Sequence, residues 1–172
     1  MNEHRSAFGR RMAPWWLLLC AALPAARAAD VVRHPLPGSD FPIALAVEVP
    51  AGKKTVYLSG AGPAVTDRDQ KPDSPAAYGD TKTQTLSTLA SIETSLKRLK
   101  LEMKDIVKMT VFLVGDPAHE GRIDFAGFME GYRRHFGGKE HPELPARSTV
   151  KVAGLVNPGW LVEIEVVAVA PD

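Results

Sequence analysis

Apolar residues recur along the chain at two periods, and the switches between them mark the elements. Residues 43–49 (Ile-Ala-Leu-Ala-Val-Glu-Val) read as a strand closed by Pro50-Ala51-Gly52, and residues 55–59 (Thr-Val-Tyr-Leu-Ser) as a second. The intervening Ala51-Gly52-Lys53-Lys54 predicts a hairpin connection. Residues 31–40, with Pro35, Pro37 and Gly38, read as an irregular lead-in. From Gly60 to Asp80 the chain is rich in Gly, Pro, Asp and Ala, a long loop by ordinary standards. Asp80 can cap a helix running to about Lys100, in which Leu86, Leu89, Leu96 and Leu99 form an apolar stripe. Residues 106–114 are rich in β-branched residues and read as a third strand. Asp124 caps a second predicted helix, where Phe125, Phe128, Met129, Tyr132 and Phe136 share one face and Gly137-Gly138 ends the run. That aromatic stripe reads as core. Residues 146–152 and 160–169 read as the last two strands.

The resulting order, β-β-α-β-α-β-β, predicts an α+β fold, a sheet with both helices on one face. Apolar residues alternate onto the other face of the last strand as well, so oligomerisation is its natural cover.

The ends and the charge narrow the picture. Arg5, Arg10 and Arg11 precede a short apolar run at 15–23, and Ala26-Arg27-Ala28 follows. Charge, apolar run and a small-x-small site in that order predict a secretory signal peptide over residues 1–28, a domain over 29–172, and a periplasmic or secreted location. The run falls short of the roughly 20 apolar residues of a membrane span. Leu19 before Cys20 speaks against a lipoprotein anchor, and Arg10-Arg11 leaves the export route, general secretory or twin-arginine, open. Cys20 is the only cysteine and would leave with the leader, so no disulfide, thiol nucleophile or cysteine metal ligand is expected in the domain. Removing four arginines and one glutamate from the chain's 21 basic and 20 acidic residues leaves 17 against 19, a net charge of −2. No global attraction to nucleic acid follows from that balance.

The chemistry concentrates near the C-terminus. Arg147 heads one predicted strand, and Glu163 and Glu165 share one face of the next. A buried guanidinium grips a carboxylate through two parallel hydrogen bonds, and an exchangeable carboxyl nearby would complete a minimal site for a small carboxylic acid. Taken alone, Arg147 reads first as a structural arginine tying a strand end to a carboxylate, and Glu165 as a solvated acid. Ser59 has no histidine at a recognisable spacing, and none of His34, His119, His135 and His141 sits at a metal-ligand spacing.

Leu58-Ser59-Gly60, the run from Asp105 to Leu113, Tyr132, Pro145-Ala146-Arg147-Ser148 and Glu163-Ile164-Glu165 together resemble the reactive intermediate deaminase family. This is the RidA or YjgF family, once labelled L-PSP endoribonuclease. The resemblance implies a chorismate-mutase-like fold and a homotrimer with clefts between subunits. It implies hydrolysis of small imines and enamines, such as 2-iminobutanoate and 2-iminopropanoate, to 2-oxo acids and ammonia, without metal or cofactor. Carried over by position, Arg147 would bind the substrate carboxylate, Glu163 would handle the proton, and Ser59 and Gly60 would line the cleft. Where the family has Gln, Asn and often Cys, this chain has Ala61, Met129 and Thr149; Phe41-Pro42-Ile43 stands nearest the family's Gly-Pro-Tyr segment, and the loop after Gly62 is longer. A non-catalytic binder of small carboxylates, or a protein-protecting module, is the alternative on the same cleft. Endoribonuclease activity fits least, given the charge and the lack of a histidine pair.

Overall fold

In a computed structural model, residues 30–139 and 141–171 are described; the expected leader over 1–28 lies outside them. Six strands form one mixed sheet: β1 Val32–Pro35, β2 Ala44–Glu48, β3 Thr55–Ala61, β4 Ile106–Val114, β5 Ala146–Val152 and β6 Val162–Val169. Two α-helices, α1 Thr81–Arg98 and α2 Phe125–Tyr132, complete it. Across the sheet the order is β1-β2-β5-β4-β6-β3, with β5 parallel to both β2 and β4 and the other pairs antiparallel. The α+β layer fold expected from the element order is therefore present.

Alternation along β4 decides which face carries the core. Met109, Val111 and Leu113 are at most 1% exposed and pack with Leu89, Ile92 and Leu96 of α1, Phe128 and Tyr132 of α2, and Val162, Ile164 and Val166 of β6. Each such side chain contributes about 1.5–3 kcal/mol by leaving water. The neighbouring residues Lys108, Thr110 and Phe112 point to the other face, beside Glu163, Glu165 and Val167 of β6. Tyr57 of β3, opposite Val167, is 79% exposed there. No helix among the described residues lies over this second face.

Four local expectations are corrected. Residues 32–35, read as irregular, form β1, whose register with β2 shifts at His34/Pro35, where proline removes a ladder donor. The expected hairpin between β2 and β3 does not form. Thr55 to Leu58 instead pair with Val169 to Val166 of β6, which lets Val56 and Leu58 join the core. The last strand begins at Val162 rather than 160, because Trp160 N–H closes a turn onto the Asn157 carbonyl. Helix α2 stops at Tyr132; Arg134 and His135 continue as tighter turns on the carbonyls of Gly131 and Tyr132 until Gly137 (φ +87) reverses the chain.

Helix α1 matches its predicted start: the Asp80 carboxylate accepts from Thr83 N–H at 2.8 Å. That bond holds Asp80 below the usual carboxylate range. Its buried stripe differs from the predicted leucines. Leu89, Ile92 and Leu96 are in the core, whereas Leu99 is 53% exposed. Near the helix start the buried face is polar, with Thr81, Gln84, Thr85 and Thr88: Thr85 meets Gly131 of α2, and Gln84 meets the loop carbonyls of Gly79 and Gly159.

Candidate active site: an unsatisfied arginine and a carboxylate on opposite faces of one sheet

The period of two along β5 sends Arg147 and Thr149 toward the helices, opposite Met109 and Val111 of β4; Ser148 and Val150 face the other way. Arg147 enters a cage made by the aromatic stripe of α2. Its guanidinium carbon lies 4.2 Å from the Tyr132 ring centroid, 5.1 Å from Phe128 and 5.4 Å from Phe41. Cation–π attraction holds it there. Nη2 donates to Met129 Sδ at 3.3 Å, while Nη1 is buried without a partner. Burial lowers the guanidinium's pKa, an effect opposed in part by Tyr132. Among the described residues, the ionisable groups that act on it are Tyr132 and Arg133, and neither is a carboxylate.

Arg33 shows what a purely structural arginine does in this fold. Its Nη1 donates to the carbonyls of Ile106 and Leu144, at 2.9 and 2.7 Å, and its Nη2 to that of Lys104 at 2.7 Å. Arg33 ties strand ends together and is satisfied. Arg147 is charged and half-buried, and its buried Nη1 atom has no acceptor, a state that costs stability unless one arrives.

Tyr132 braces the cage. Its hydroxyl donates to the Pro42 carbonyl at 2.8 Å, and burial pushes its pKa up from 10.0 to about 12. Because the folded pKa is raised, this contribution to stability is complete below pH 10 and is lost as pH rises toward 12. An alkaline titration followed by tyrosinate absorbance should therefore show one tyrosine ionising only near pH 12, and Tyr132→Phe should remove that step. A normal titration of that tyrosine would contradict the cage.

Glu163 lies on the opposite face. It pairs with Phe112 of β4, whereas the Arg147 side is that of Met109 and Ile164. A β-bulge between Leu58 and Ala61 sets Ser59 and Gly60 out of the ladder, and Gly60 fits directly against Glu163: a Cβ at position 60 would collide with its carboxylate. Three of the predicted site residues thus fall near one another on β3 and β6. The fourth, Arg147, does not join them within one chain. The alternation itself puts the two on different faces of one chain, since odd-numbered residues face the helices on β5 and open away from them on β6. Glu165 is exposed, as expected.

The loop after Gly62 is fastened down beside this region. Asn157 Nδ2 donates to the Pro72 carbonyl and the Tyr78 hydroxyl, at 3.1 and 2.8 Å, and Tyr78 itself donates to Pro72 O at 2.8 Å. Gln84 donates to the carbonyls of Gly79 and Gly159 and accepts from Leu161 N–H. Gly62 leaves room for the Trp160 ring, which meets Tyr78 edge-on. The segment forms a fixed wall next to the start of β6.

Sequence reasoning missed Phe41, Phe128 and Tyr132 as arginine partners, having assigned the last two to the core alone. They serve both purposes. The available signal was an aromatic helical stripe in a chain that also sets an arginine at the head of a strand.

Comparison with known proteins agrees with this architecture. The chain is 37% identical over 90 residues to a RutC family protein of Haemophilus influenzae, which covers 52% of this chain and 64% of that protein's length. It resembles Escherichia coli TdcF, solved with bound serine, at 30% identity and a TM-score of 0.53, covering 78% of this chain and 93% of TdcF. A Mycobacterium tuberculosis member of the YjgF/YER057c/UK114 family shares the fold at 23% identity, with a TM-score of 0.51 and coverage of 82% and 100%. A profile described as Endoribonuclease L-PSP matches residues 42–170. The chain belongs to that family, the YjgF/RidA group.

Proposed function

We propose that the protein binds small carboxylic acids through Arg147 and hydrolyses 2-imino acids to 2-oxo acids and ammonia, at clefts completed by a neighbouring subunit. The observation that carries this reading is the half-buried guanidinium whose buried Nη1 atom has no acceptor. A carboxylate satisfies it with charge-assisted hydrogen bonds. That TdcF was solved with serine, itself a small carboxylate, supports the ligand class.

In the reaction, water adds to the imine carbon and forms the C–O bond while the nitrogen takes up a proton. The resulting carbinolamine then expels ammonia as its hydroxyl loses a proton and becomes the carbonyl. Arg147 holds the carboxylate and so fixes the carbon to be attacked. Glu163 carries the proton between water and nitrogen. Because the two residues open onto opposite faces of one sheet, a neighbouring copy must bring its Glu163 to Arg147. The exposed second sheet face, with Tyr57 and Val150, gives such a copy apolar surface to bury. A homotrimer is the assembly we assign, and export by the 1–28 leader is the location.

Imine loss provides the test. 2-Iminopropanoate, generated in place by an amino-acid oxidase, should disappear faster with the purified protein than without it. No acceleration across several imino acids would favour the second reading, a carboxylate binder without turnover. One observation supports that alternative: Arg147 has its aromatic cage within one chain, and Glu163 lies on the other face of the sheet.

A further inference from the structure

The two terminal nitrogens of Arg147 are treated differently by their surroundings. Nη2 donates to Met129 Sδ at 3.3 Å, whereas Nη1 is buried without a partner. Met129 belongs to α2 and is 4% exposed, beside Phe128 and close to Tyr132, whose rings flank the cation. A thioether is a weak acceptor. Arg33, by contrast, has both terminal nitrogens on carbonyl oxygens, at 2.7 to 2.9 Å. An oxygen acceptor at Nη2 of Arg147 would hold that arm firmly, and sulfur holds it loosely. Methionine also has three rotatable bonds, so its sulfur can leave Nη2 by side-chain rotation with α2 in place.

We propose that Met129 sets the affinity of this site: its thioether occupies Nη2 in the empty protein and gives way to one oxygen of an incoming carboxylate. This rests on the carboxylate reading of Arg147 and is independent of turnover. One carboxylate oxygen goes to the unpartnered Nη1 and the other replaces sulfur at Nη2, the two-pronged geometry that guanidinium and carboxylate share. Binding thus breaks one weak bond and makes two charge-assisted ones. The bond to sulfur subtracts from affinity whatever it contributes to the empty state. A stronger resident acceptor would hold the site shut. With none, the arginine would be open to ligand but the empty fold less stable.

Substitutions of opposite chemistry at position 129 provide the test. Leucine nearly keeps the volume of methionine and accepts no hydrogen bond. The full-length protein with Met129→Leu should bind 2-oxobutanoate about threefold to tenfold more tightly in titration calorimetry, because no bond to sulfur has to break. Met129→Gln supplies an amide oxygen and should bind about tenfold more weakly. A packing role alone would weaken binding in both variants or in neither. Thermal melts add a reading without ligand: Met129→Leu should lower the melting temperature more in the wild-type background than in Arg147→Ala, which has no guanidinium to hold. Equal falls in the two backgrounds overturn the proposal. Unchanged or weaker binding by Met129→Leu also overturns it, and does so alone should the buried glutamine prevent folding. Wild type that binds no carboxylate would overturn the reading of Arg147 itself, and this proposal with it.

Discussion

Replacing Arg147 by alanine should abolish detectable carboxylate binding while leaving the fold almost as stable as before. Removing one partner of a buried charge-assisted pair costs about 2–5 kcal/mol of affinity, a loss of roughly 30-fold to several thousandfold. The stability side nearly cancels. Contacts with aromatic rings contribute about 0.5–2 kcal/mol, and relief of the unsatisfied Nη1 returns about 1–3 kcal/mol. Calorimetric titration with 2-oxobutanoate and a thermal melt measure the two sides separately. A large fall in melting temperature with affinity unchanged would make Arg147 a structural arginine like Arg33. Lysine at 147 should recover only part of the binding, because its point charge cannot reproduce the two-pronged geometry.

Glu163→Gln should lower imine turnover by about 10²–10⁴-fold, the usual range for a proton-transfer group, with little effect on 2-oxobutanoate affinity. Glutamine keeps the shape that fits against Gly60. The placement of the two residues on opposite faces adds a sharper outcome. Arg147→Ala and Glu163→Gln subunits, each inactive alone, should regain activity when unfolded together and reassembled. Random mixing at equal amounts leaves about a quarter of the interfaces with both native residues, if each site takes one residue from each neighbour. Absence of recovery, with mixed assembly demonstrated, would rule out a shared site.

Much of this architecture was legible from periodicity because the core is simple. Alternation in β4 and β6, the Asp80 and Asp124 caps and the glycine stop at 137 each encode their element locally. The misplaced features depend on partners distant in sequence. Nothing within residues 43–59 says that β3 will leave β2 and run to the far edge beside β6, since both pairings bury the same side chains. β1 was hidden because Pro35 and Pro37 dominate a short segment whose pairing comes entirely from β2. The site was legible as a set of residues but not as a geometry. Arg147 and Glu163 are both odd-numbered and both near strand starts, but facing direction depends on how each strand enters the sheet. Thr149 reads from the sequence only as a departure from the family pattern; that its hydroxyl is buried without a partner is a property of its surroundings.

The fastened loop over 62–80 has a consequence for how ligand arrives. Asn157, Tyr78 and Gln84 already fix it through side chains whose donors and acceptors are engaged. Its conformational entropy has been given up during folding, so capture of a small acid need not order it again. Encounter should then be governed by diffusion. Hydrogen exchange in the loop should look the same with and without ligand.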